Sequence, residues 1–406
     1  MIALLLAFGA AQAWSAEPVS APAPEPAKVS TDIETFDRAP VLLWSAALPG
    51  TPPSTATRSE PGSPVVHGDR IYVGYSGQSA LLVLGRGDGR LVGQFPARAP
   101  VASPPLVRDG KVWFSDTAGY TYCYLLDQLN KPTPTPAWSH YSGAPIVSGL
   151  TESDGGLLFA NVDDVVFALD AATGSLRWRH AHPLDASRSG SLELFGAAPP
   201  IVVDGEVWVG FSDGFLVGMS ASTGAEDRNV VIGEGSYPDV IAPAYADASQ
   251  GGTLVAAGFS GPLVSVDPNT RVVRWRVDAG TASAMLQQDG VLYVGGSDGK
   301  LRAVVVRTGE VRWTWDPKLG GTIGEPVWTN AGLLVAAGEG SVYLVDAATG
   351  STLWTFDPGV LVNGVAARPT VVGRNAYIVT NAGVLYALRV PQDNVTTTVP
   401  WVSTRP

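Results

Sequence analysis

The chain has 406 residues, 45% of them hydrophobic and only 16% charged, with 47 glycines and 32 prolines. That balance belongs to a folded, turn-rich, all-β chain and not to a disordered one. A formal net charge of −11 excludes the basic footprint that nucleic-acid binding needs. The lone cysteine, Cys123, excludes an intramolecular disulfide and a cysteine-based metal cluster.

Residues 1–13 read as an export signal. The apolar run Ile2–Ala11 ends in Ala11-Gln12-Ala13, an A-x-A cleavage pattern, and is too short to span a bilayer. No cysteine follows it, so no lipidation site is expected. Residues 14–40, rich in proline, alanine and serine, read as a semi-extended linker. Val41-Leu-Leu-Trp44 then looks like an outer strand with no repeat before it.

From there the chain repeats itself. Leu157–Trp178 reads strand, turn, strand, turn, strand, and Leu333–Trp354 says nearly the same thing again, LLFANVDDVVFALDAATGSLRW against LLVAAGEGSVYLVDAATGSTLW. Aligned on the final strand, the markers are Trp44, Trp138, Trp178, Trp275, Trp313 and Trp354, with Gly93 and Arg228 in two degenerate units. A period near forty with four short strands is a propeller blade. Seven complete units and an eighth, Pro369–Arg389, that lacks its last strand predict an eight-bladed β-propeller over residues 41–390. Val41–Trp44 supplies the missing strand, so the ring closes without exposed sheet edges. Asp-Gly pairs at 109–110, 204–205 and 289–290 mark the first turn of each unit. Ser212-Asp213-Gly214, Ser260-Gly261, Ser297-Asp298-Gly299, Glu339-Gly340 and Ala382-Gly383 mark the second. Residues 391–406 read as a loose tail.

No catalytic constellation stands out. The G-x-S-x-G strings at 210–214 and 295–299 hold the Ser-Asp-Gly triplets read above as hairpin turns, so no nucleophile elbow is read there, and there is no P-loop. Asp163-Asp164 reads as turn chemistry. His180-Ala-His182 sets two imidazoles on one side of a strand, but a metal needs a third ligand that the sequence does not nominate. A solvated strand end is the expectation, with no metal residues.

The Ala168–Trp178 repeat, A-L-D-x-x-T-G-x-x-x-W, resembles that of quinoprotein-like propellers, and within them the BamB family of the outer-membrane β-barrel assembly machinery. The likeness covers the whole ring. Ser189–Pro200, SGSLELFGAAPP, is similar to the segment through which that family contacts a POTRA domain of the barrel-inserting subunit. The resemblance implies Leu192 and Leu194 as apolar contacts, with Phe195 where the family has arginine. Its second contact loop falls on Asp239-Val240-Ile241, where only the first aspartate is kept. The implied role is a non-catalytic periplasmic scaffold, without cofactor, peripheral to the outer membrane at most. Independently of family, alternating apolar residues in a connection at a propeller face suggest an edge awaiting a partner. The alternative is local packing on Trp178 or Trp208.

Two other functions stay open. One is a PQQ-dependent oxidoreductase, although such enzymes typically carry a vicinal disulfide and a calcium site, and one cysteine forbids the first. The other is an exported propeller of generic ligand- or protein-binding role that binds through its central funnel.

Overall fold

The computed structural model describes residues 28–29, 40–50, 62–183, 196–247, 252–318, 321–338, 340–358 and 364–391. Among the described residues eight antiparallel sheets form the blades, and in the first seven the four blade strands pair in sequence order. Blade three is typical: Thr151–Ser153, Gly156–Ala160, Val165–Asp170 and Leu176–Ala181. Blade four repeats it with Ile201–Val203, Glu206–Gly210, Phe215–Ser220 and Glu226–Val231. The two middle strands of a blade are buried on both faces, because a neighbouring blade covers each. That is why Gly156–Ala160 is apolar throughout instead of alternating.

The ring closes as expected. Val41–Ala47 pairs antiparallel with Val384–Arg389, the third strand of blade eight, from Val41 opposite Arg389 to Ala47 opposite Val384. Arg86 Nε of blade one donates to the Tyr377 hydroxyl of blade eight at 3.0 Å. The apolar core is correspondingly circular. One cluster joins Tyr72 and Phe95 to Phe114 and Tyr124 across blades one and two. Another joins Val73 and Leu82 to Tyr377 and Leu385 across blades eight and one.

The sequence missed one strand. Lys28–Val29, inside the stretch read as linker, pairs with Thr352–Asp357 as a fifth strand at the edge of blade seven. It places Lys28 opposite Asp357 and Val29 opposite Phe356.

The turns take the geometry that their residues demand. Asp109-Gly110, Asp204-Gly205 and Asp289-Gly290 have positive φ at both positions, as a two-residue hairpin requires. Asp154-Gly155 does the same without having been singled out.

The repeated tryptophans hold blade to blade. Trp178, from the outer strand of blade three, packs on the Ala221–Gly224 turn of blade four. Its indole Nε1 donates to the Ala221 carbonyl at 2.8 Å. A Cβ on Gly224, where φ is +69°, would lie 2.4 Å from the ring. Trp138 on Gly174, Trp275 on Gly309 and Trp313 on Gly350 repeat the arrangement. Trp44 does so on Gly89 across the closure.

Candidate functional site

The two connections that the sequence proposes as a contact surface leave blades three and four. Leu192, Leu194 and Phe195 lie outside the described residues. The connection carrying them starts after the outer strand of blade three and is described again from Gly196. There a Cβ would stand 3.2 Å from Ile241 Cγ2, so the end of the first connection meets the second.

The second connection, residues 232–244, is tightly built. A Cβ on Gly233 would be 1.7 Å from the Pro238 carbonyl oxygen. Val240 N donates to the Phe211 carbonyl at 3.0 Å, and Phe259 N donates to the Asp239 carbonyl at 2.8 Å. The Tyr237 and Phe259 rings meet edge to face at 6.0 Å. Asp239 is only 1% exposed, so its carboxylate is buried. The outward part of this connection is Glu234, Gly235 and Ser236, with Tyr237 and Ile241 half-buried. Glu234 is held by the Arg276 guanidinium at 2.5 Å.

The histidine pair departs from expectation. His180 and His182 do not end in solvent: their side chains are 17% and 6% exposed. Blade four covers them, because its outer strand brings in Glu226 and its Ser212–Gly214 turn brings in Asp213. His180 Nε2 is 3.2 Å and His182 Nδ1 3.4 Å from Glu226 Oε2, while His182 Nε2 is 3.2 Å from Asp213 Oδ2. The His182 ring also stacks on Phe211 at 4.4 Å. Burial pulls the His182 pKa down, but the Asp213 and Glu226 carboxylates outweigh it and leave it raised. Asp164, one turn residue of the pair 163–164, is buried beside them and accepts from the Ser212 amide and hydroxyl. Burial lifts its pKa to about 6 against those hydrogen bonds.

Sequence reading saw the H-x-H spacing but not the groups opposite it. Glu226 stands 44 residues after His182, close to one blade period. Residues a blade apart are the ones a propeller stacks, and that was the available signal.

Among the described residues, no helix is long and apolar enough to cross a membrane. Cys123 is buried, and desolvation raises its thiol to about 11.

Compared with known proteins, the chain matches the family profile described as outer membrane protein assembly factor BamB over residues 30–144, 125–314 and 299–405. No curated protein sequence matches it. Among solved structures it is similar to BamB from Moraxella catarrhalis, with a TM-score of 0.67 at 15% identity, covering 85% of this chain and 99% of that one. It is equally similar to the computationally designed Ika8 protein, with a TM-score of 0.67 at 17% identity, covering 86% and 100%. The quinohemoprotein alcohol dehydrogenase ADHIIG from Pseudomonas putida HK5 gives 0.61 at 14% identity, covering 87% and 76%. At these identities the likenesses show the fold alone and nothing about chemistry. The profile, matching segment by segment from residue 30 to residue 405, carries the assignment: the chain belongs to the BamB family of outer membrane protein assembly factors.

Proposed function

We propose that this chain is a non-catalytic scaffold of the periplasm that binds a partner in outer-membrane protein assembly. The partner is a POTRA-bearing barrel assembly protein, and it docks on the connections after blades three and four. Family membership along the whole ring is the observation that carries the reading. The meeting of Gly196 with Ile241 supports it further, since it brings the end of the first connection against the second. Leu192, Leu194 and Phe195 supply apolar anchors, an aromatic one replacing the arginine of related proteins. Asp239 is buried within its loop, and half-buried Tyr237 and Ile241 offer the contact area.

Site-specific photocrosslinking in cells tests this. A photoreactive residue at position 192 or 195 should trap the barrel assembly protein, and one at exposed Val272 of blade five should not. Equal yield from all three positions contradicts the assigned face.

A quinone-dependent oxidoreductase is favoured only by the fold it shares with quinohemoprotein dehydrogenases. Titration with quinone and calcium, read by absorbance, distinguishes that role from a scaffold.

A further inference from the structure

We propose that His180, His182 and Glu226 form a site for one divalent transition-metal ion of the zinc class, shared between blades three and four. The inference is independent of the partner-binding role.

The donor set comes first. One ring nitrogen from each histidine and one carboxylate oxygen lie within 4.8 Å of one another. Bonds of about 2.0–2.1 Å to a tetrahedral ion put its ligand atoms about 3.3 Å apart. The separations from Glu226 Oε2 are 3.2 Å to His180 Nε2 and 3.4 Å to His182 Nδ1. Both match that span.

Two further observations point to an ion and not to a set of hydrogen bonds. His180 Nε2 is buried and forms no hydrogen bond, because its alignment with Glu226 is poor despite the short separation. A buried polar nitrogen left this way is costly unless something else engages it. Second, His182 presents Nδ1 to the centre while its Nε2 lies 3.2 Å from Asp213 Oδ2, and the Asp213 side chain is fully buried. A carboxylate behind a ligating imidazole fixes its tautomer and raises its basicity. The imidazole plane is held in place by Phe211.

Two imidazoles and one carboxylate suit zinc or its first-row neighbours and not calcium or magnesium, which take oxygen ligands. Three protein ligands leave a fourth position for water or an incoming side chain. Because the histidines end the outer strand of blade three and Glu226 begins that of blade four, the ion ties the two blades together.

The test uses the full, tag-free chain, stripped with chelator and titrated with Co2+ as a spectroscopic probe and then with Zn2+. The expected result is one equivalent bound, visible absorption of a tetrahedral Co2+ site, and displacement by Zn2+ but not by Mg2+ or Ca2+. Glu226→Gln and His180→Ala should abolish the absorption. Asp213→Asn should weaken binding about 10–100-fold. Unaltered Co2+ absorption in His180→Ala and Glu226→Gln, or no binding to the wild type, overturns the site. Should a variant fail to fold, zinc-edge X-ray absorption on the wild-type complex decides: two imidazole shells are expected, and none would overturn it.

Discussion

Arg271 holds a left-handed backbone, φ 61°, at the turn position where other blades carry glycine, and the residue facing that turn is Arg228 and not an indole. Arg228 Nη1 donates to Asn269 Oδ1 in this turn at 2.8 Å. Where the preceding blade sends a tryptophan, glycine is required twice over, once by φ and once by the ring. Where it sends arginine, only φ matters, and a side chain is tolerated. Gly93 solves the opposite degeneracy: with no indole there, Leu129 from the short 3-10 turn Leu126–Asn130 fills the space, and a Cβ on Gly93 would lie 2.8 Å from its Cδ1.

Gly224→Ala should therefore destabilise the protein by about 2–4 kcal/mol, from left-handed strain plus overpacking against Trp178. Arg271→Gly should change stability by less than about 1 kcal/mol, because relief of left-handed strain is offset by the greater chain entropy of glycine. Equilibrium denaturant unfolding measures both, and equal costs would contradict the docking rule.

Closure by the Val41–Ala47 strand predicts that removing residues 1–47 bares Val384–Arg389 as a sheet edge. The truncated chain should associate or precipitate, visible by light scattering, while the intact chain stays dispersed.

Asp170 caps its turn by accepting from the amides of Ala172 and Thr173, the Thr173 hydroxyl and the Arg177 guanidinium. Arg177 first, and then Thr173, hold its pKa down to about 2, from an ordinary 3.8. A depressed carboxylate pKa contributes stability above the unfolded value, and that contribution fades as pH falls through the folded one. Asp170→Asn should lower the urea midpoint at pH 7, and the gap to wild type should narrow by pH 2.

Cys123, with its thiol raised to about 11 by burial, should not react with a disulfide reagent at pH 8 until the protein is unfolded. Thiol titration with and without denaturant checks it.

The ring was legible because most units repeat the same local chemistry: Asp-Gly hairpins, an Asp-x-x-Thr-Gly turn, a tryptophan. Counting these found eight blades and the closing strand. What stayed hidden depends on pairs a blade apart. His180 and His182 are enclosed by Glu226 and Asp213, which no local pattern links to them. Lys28–Val29 is too short to stand out from its proline-rich surroundings, and only its partner at Thr352–Asp357 makes it a strand. Trp354 shows the limit of the repeat. Blade eight offers it no matching turn among the described residues, and its buried indole nitrogen has no hydrogen-bond partner there.

The most direct test of the scaffold role is a crosslinked pull-down from native envelopes, wild type beside Leu192→Glu, with thermal unfolding of both proteins. The account predicts that a POTRA-bearing barrel assembly protein is recovered with the wild type and lost with the variant, at unchanged thermal stability. Recovery of that protein undiminished by Leu192→Glu, or its absence from the wild-type pull-down, would contradict it.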